Sequence, residues 1–133
     1  MTYLYVAFGS ALGGVARYGC TLWISSWTNT AMLPWATIIV NVTGSLLIGV
    51  VLGATEPGSR FDLSASLRDF LMIGVLGGYT TFSAFSLQTF ELLRAHHWLQ
   101  AGANVVLSVL ICVLAVALGY WLMTAMHPTR TDY

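Results

Sequence analysis

Gly77-Gly78-Tyr79-Thr80-Thr81-Phe82-Ser83-Ala84-Phe85-Ser86 interrupts a stretch that is otherwise apolar enough to span a membrane. Paired glycines and threonines at that depth predict a broken helix. Backbone groups freed by the break must face protein, water or an ion, because lipid offers them no hydrogen bond. This segment therefore decides two things at once: a helical membrane fold, and the place in it where chemistry is to be sought.

The rest of the chain fits that reading. Of its 133 residues 57% are hydrophobic and 8% charged, against the roughly 25% charged residues of soluble domains. The net charge is zero, with five arginines and no lysine, so no basic patch exists for nucleic acid. A span needs about 20 apolar residues, and the sequence divides into four such stretches, Tyr3–Ile24, Leu33–Ala54, Phe70–Leu93 and Leu99–Met123. One transmembrane domain over 1–133 is expected, all-α, with the third helix broken near its middle. The opening Met-Thr-Tyr-Leu-Tyr-Val has no basic flank and reads as the start of a retained span. Loop signals separate the spans: Asn29 and Pro34, then Pro57, Gly58 and half of the charges, then Arg94, His96 and His97, with Pro128 ending the last helix.

Arginine placement selects an orientation only weakly. Arg60, Arg68 and Arg130 fall on one side, Arg94 and Arg17 on the other, a balance that permits insertion both ways and an antiparallel dimer. Gly9 and Gly13, Gly49 and Gly53, and Gly74 and Gly78 are spaced for close helix packing. Cys20 and Cys112 lie in apolar segments and read as small hydrophobes.

Several polar residues inside the spans need partners. Arg17 either snorkels to the interface or stands at a vestibule that attracts anions. Thr37, Asn41 and Ser45 follow one another at every fourth position and share a stripe, as do Asn104, Ser108 and Cys112 in the last span. Their amides and hydroxyls serve either as glue between helices or as a track of donors for a dehydrating anion. Thr81 and Ser83 add hydroxyls at the break. Phe82 and Phe85 point to nearly the same side, and the electropositive edge of an aromatic ring can face an anion without the tight grip of a fixed charge. The carbonyls of Gly77 and Thr80 are candidates for a small cation. His96, His97 and His127 have no metal-ligand or catalytic spacing, so no enzyme is expected.

Three of these segments resemble the signatures of the Fluc, or CrcB-type, fluoride channels, in order and over essentially the whole chain. They are Gly13-Gly14-Val15-Ala16-Arg17-Tyr18, Thr37-Ile38-Ile39-Val40-Asn41-Val42-Thr43-Gly44-Ser45, and the break at 77–86. The resemblance implies passive fluoride export through antiparallel, dual-topology homodimers in the inner (plasma) membrane of a prokaryote. Two separate pores would each be built from both subunits. It gives Asn41 to the pore, Phe82 and Phe85 to a phenylalanine box, Arg17 to the vestibule and Asn104, Ser108 and Cys112 to a polar track. Thr37, Thr81 and Ser83 complete the expected fluoride path. The carbonyls of Gly77 and Thr80 would hold a structural sodium ion at the dimer axis. The chain departs from the family pattern at Gln88, where many members carry glutamate, and at Asn104 and Cys112, which replace hydroxyls. Two rival readings are a small dual-topology multidrug exporter and a non-transporting scaffold. The first needs a membrane carboxylate, and no Asp or Glu precedes Glu91 within the first three spans; the second leaves the polar break unexplained.

Overall fold

The structure is a computed structural model that describes residues 2–28, 33–56 and 63–126; Asn29, Pro57, Gly58, Arg60, His127, Pro128 and Arg130 lie outside them. Within the described residues the fold is all-helical: α1 (Thr2–Ser25), α2 (Trp35–Ala54), α3 (Ala65–Asp69), a π-helical segment (Phe70–Leu76), α4 (Gly77–Tyr79), α5 (Phe82–Arg94) and α6 (Trp98–Met126). Three helical stretches are long and apolar enough to cross a membrane: Trp35–Ala54, Ala65–Arg94 and Trp98–Met126. α1 has the length, with 24 residues, but its tyrosines, glycines and Arg17 leave it less apolar than those three.

Glycines set how the helices approach. Gly9 of α1 meets Gly74, Gly13 faces the backbone of Val75 and Tyr79, and Gly78 faces Ser10: a Cβ on Gly9 would stand 2.8 Å from the Phe70 carbonyl oxygen, and one on Gly78 2.6 Å from that of Ser10. Gly49 and Gly119 do the same for α2 and α6, each facing backbone of the other helix with no room for a side chain. Two backbone-tight pairs result, α1 with the π segment and α2 with α6, and both rest on van der Waals contact that a lipid solvent does not replace. The three GxxxG spacings thus fall on real contacts, since Gly53 in turn abuts Met123 and Tyr120.

The third span is more irregular than its sequence suggests. Ser64 caps α3, accepting from the Leu67 N–H at 3.3 Å, so the helix starts before Phe70. It then widens over seven residues, and the Gly77 N–H reaches back to the Met72 carbonyl, a five-residue step. After Tyr79 the chain opens. Thr80 and Thr81 are extended, with ψ of 157° and 115°, and the Thr81 hydroxyl caps α5 by accepting from the Ala84 N–H at 3.2 Å. α5 turns into α6 through Ala95–His97, where His96 takes a left-handed φ of 59° and its N–H closes on Leu93 O at 3.0 Å.

Burial is uneven. A small core of Ile24, Ala36 and Val40, with Cys20, Ile39 and Tyr79 against it, joins α1, α2 and α4. By contrast, α5 has no buried residue at all, and Phe82, Leu87 and Phe90 stand exposed along it.

Candidate functional site

Asn41 organises the break. Its Nδ2 donates to the Thr81 carbonyl at 3.0 Å, and its Oδ1 accepts from the Thr81 N–H at 2.8 Å. Since a backbone N–H can only donate, the pair also fixes which way the amide points. One residue of α2 thereby replaces the helical acceptor that the Thr81 N–H gives up and adds a second donor to the Thr81 carbonyl. One N–H of the Asn41 amide remains free of this clamp. Gly44, one turn nearly above it, leaves no space beneath the Thr80 methyl and the Tyr79 ring. The Tyr79 hydroxyl and Thr43 Oγ1 sit 3.1 Å apart, adding a second polar tie between α2 and the end of α4.

The clamp has a consequence for two carbonyls. In a continuous helix the Gly77 carbonyl would accept from the Thr81 N–H and that of Thr80 from the Ala84 N–H. Here the first donates to Asn41 and the second to the Thr81 hydroxyl. Gly77 and Thr80, the two residues expected to present carbonyls, are those whose helical donors are diverted. Their oxygens suit a hard cation. Among the described residues, no three of His, Cys, Asp and Glu come together to hold a metal ion.

A cleft of about 300 Å³ opens beside the break. Asn41, Ser45 and Ile48 of α2 line one wall, Ser108, Val109, Cys112 and Val113 of α6 another, and Thr80, Thr81, Phe82 and Phe85 the third. Two members of each four-residue stripe read from sequence, Asn41 with Ser45 and Ser108 with Cys112, therefore converge on the break and on the phenylalanine pair. The rings of Phe82 and Phe85 lie 5.3 Å apart at 45°, a tilted contact that leaves ring edges free. Phe82 is 77% exposed and projects away from its own chain.

Other expected site residues lie elsewhere. Thr37 is buried and borders a neighbouring cleft of about 290 Å³, together with Arg17, Gly14, Thr81 and Gln88. Ser83 does not line the first cleft but sits 3.2 Å from the Thr81 hydroxyl. Asn104 is fully buried behind Ser108 rather than on the cleft wall. In the neighbouring cleft, the Arg17 Nε and the Gln88 Oε1 are both buried without a hydrogen-bond partner. An orphan donor and an orphan acceptor on one cavity mark it as polar and wettable.

One participant escaped the sequence reading. Thr89 accepts from Asn104 Nδ2 at 2.8 Å and donates to the Phe85 carbonyl at 2.8 Å. The signal for it was the short turn at 95–97: two antiparallel helices joined so tightly have a fixed register. Stepping four residues back along α5 and four forward along α6 leads from Thr89 and Asn104 to Phe85 and Ser108.

Comparison with known proteins shows the family of the chain. Residues 4–120 match the family described as CrcB-like protein, Camphor Resistance (CrcB). A fluoride-specific ion channel FluC of Methylocella silvestris is 46% identical over 130 residues, which cover 98% of each chain. Proteins of the same name from Opitutus terrae, 48% identical over 89% of each chain, and Paramagnetospirillum magneticum, 46% identical over 90% of this chain and 93% of the other, are also similar.

Proposed function

The chain belongs to the CrcB-like family, a family of ion channels and not of enzymes, and on that premise we propose that it conducts fluoride selectively out of the cell across the inner membrane of a bacterium. The observation that carries the reading is the cleft itself. Asn41 and Ser45, Ser108 and Cys112, a helix break and a pair of phenylalanines meet there, and among the described residues no fixed charge lines it.

Fluoride is small and tightly hydrated, so a selective path must offer several close donors. The free N–H of Asn41, the hydroxyls of Thr81 and Ser45, the Cys112 thiol and the edges of Phe82 and Phe85 supply them weakly and in succession, which lets the ion leave as well as enter. Ser108 donates at present to Asn104 Oδ1 across 3.3 Å, a long bond. Rotation of that hydroxyl toward an arriving anion exchanges one acceptor for a better one. Arg17, in the adjoining wettable cleft, raises the local anion concentration without standing in the path. Thr37 and Ser83 contribute to its approach. A negative-inside potential drives the anion outward with about 2.3 kcal/mol per charge per 100 mV, so no coupling ion or nucleotide is needed.

One copy leaves this path half walled. Phe82 faces outward and α5 buries nothing, which supports a second copy covering that side. The weak arginine bias suits an antiparallel, dual-topology homodimer in which α1 serves as the fourth span and each pore draws on both copies. The Gly77 and Thr80 carbonyls, met by the same pair from the second copy, would hold a structural sodium ion. When bound, that ion would supply positive charge facing these carbonyls and so tie the copies together.

Replacing Phe82 by Ile tests the assignment. Fluoride efflux from liposomes should fall severely while the protein still elutes as an assembled species. Undiminished flux would remove the ring edges from the path.

A further inference from the structure

We propose that Thr89 and Asn104 are positioning residues for conduction: a three-member relay from Asn104 through Thr89 to the Phe85 carbonyl holds the Phe85 ring at the cleft. The inference rests on the proposed fluoride path and extends it to two side chains that never meet the ion.

Little else holds α5. None of its residues is buried, and its packing against α6 is slight beside that of α2. An element so lightly packed drifts unless polar ties fix it. At its N-terminal end, Thr81 is clamped by Asn41. Two turns farther on, Asn104 reaches across from α6. It is 0% exposed, and its Nδ2 donates to Thr89 Oγ1 at 2.8 Å. The Thr89 hydroxyl hydrogen goes to the Phe85 carbonyl at 2.8 Å, so the hydroxyl accepts on one side and donates on the other. Its single proton is committed, which fixes the direction of the whole relay. The Asn104 Oδ1 accepts from Ser108 Oγ at 3.3 Å, tying the relay to a residue of the cleft wall.

Phe85 is thus anchored through its own backbone, one helical turn from Thr89, and its ring meets that of Phe82 at 5.3 Å. Removing the Thr89 hydroxyl would leave the buried Asn104 amide without its acceptor and free α5 to shift along α6. A narrow path that depends on ring edges is sensitive to such a shift, whereas the bulk of the fold, built on α1, α2, the π segment and α6, is not.

The test compares wild type, Thr89→Val and Thr89→Ser in liposomes, reading fluoride efflux beside the elution profile and the melting temperature of the purified protein. Valine keeps the shape and loses the hydroxyl; serine keeps the hydroxyl and loses the methyl. The expected result is a roughly tenfold slower efflux for Thr89→Val, the change that about 1.4 kcal/mol makes, with wild-type efflux restored in Thr89→Ser. Equal efflux in all three, or equal loss in both variants, would overturn the relay. Asn104→Leu provides a second measurement if Thr89→Val does not assemble: it fills the buried site, removes the donor, and should also slow efflux, so unchanged efflux in it would overturn the relay as well. A wild type that releases no fluoride would instead sink the conduction reading, and with it this one.

Discussion

Replacing Asn41 with Leu removes both halves of the clamp on Thr81 while nearly preserving side-chain volume. The two hydrogen bonds, at 3.0 and 2.8 Å, are what the break gains in exchange for a continuous helix. Hydrogen bonds between membrane helices contribute roughly 0.6 to 1.7 kcal/mol each, so the pair amounts to about 1 to 3 kcal/mol. Their loss should lower the ratio of broken to continuous conformer about five- to 140-fold, as the Thr81 N–H returns to the Gly77 carbonyl. Two measurements follow the change: fluoride efflux from liposomes, and hydrogen exchange at the 77–86 segment. Efflux should fall as the broken conformer is depopulated, by up to that factor. Asn41→Asp keeps one half of the clamp, because a carboxylate still accepts from the Thr81 N–H but cannot donate to the Thr81 carbonyl, and it sets a negative charge in an anion path. Exchange at Thr81 should then stay slow while efflux is lost. Wild-type efflux in Asn41→Leu would refute the claim that the clamp shapes the path.

Adjacent glycines of α1 should respond in opposite ways. A Cβ at Gly13 would collide with the backbone of Val75 and Tyr79, whereas one at Gly14 meets nothing within 4 Å. Gly13→Ala should therefore destabilise the purified protein by about 1 to 3 kcal/mol and Gly14→Ala should leave its melting temperature unchanged, a contrast that thermal unfolding in detergent resolves. Arg17→Leu should raise the fluoride concentration giving half-maximal flux while sparing the maximum, because the guanidinium lines the neighbouring cleft rather than the first; a loss of maximal flux alone would place it in the path. Exchanging sodium for a large organic cation during purification should lower the melting temperature if the carbonyls of Gly77 and Thr80 hold sodium between two copies. An unchanged transition would remove that site.

The sequence displayed the break because glycine and threonine side by side are conspicuous in an apolar span. It displayed the Asn41 and Ser108 stripes because a four-residue repeat keeps polar atoms on one face; Asn41, Ser45, Ser108 and Cys112 line the cleft, while Thr37 and Asn104 of the same stripes do not. Which way a buried amide turns has no such signature. Asn41 spends one donor and its acceptor on Thr81, and Asn104 faces Thr89 instead of the cleft, because each answers an orphan group that only the packed helices bring near. The π-helical widening at 70–76 was equally hidden. It lies where Gly74 meets Gly9, and nothing in seven apolar residues tells a wide turn from an ordinary one. α1 shows the opposite case: one arginine and several small or aromatic residues make it less apolar than the other spans, although its glycines seat it against the π segment as closely as any pair in the fold.

The central claim is conduction of fluoride and not of larger halides, and one measurement addresses it directly. Purified protein is reconstituted into liposomes loaded with fluoride or, in parallel, with chloride, and efflux is followed with ion-selective electrodes under a potassium gradient clamped by valinomycin. Rapid fluoride release with chloride retained is expected. Release of both ions at similar rates, or of neither from verified assembled protein, would contradict it.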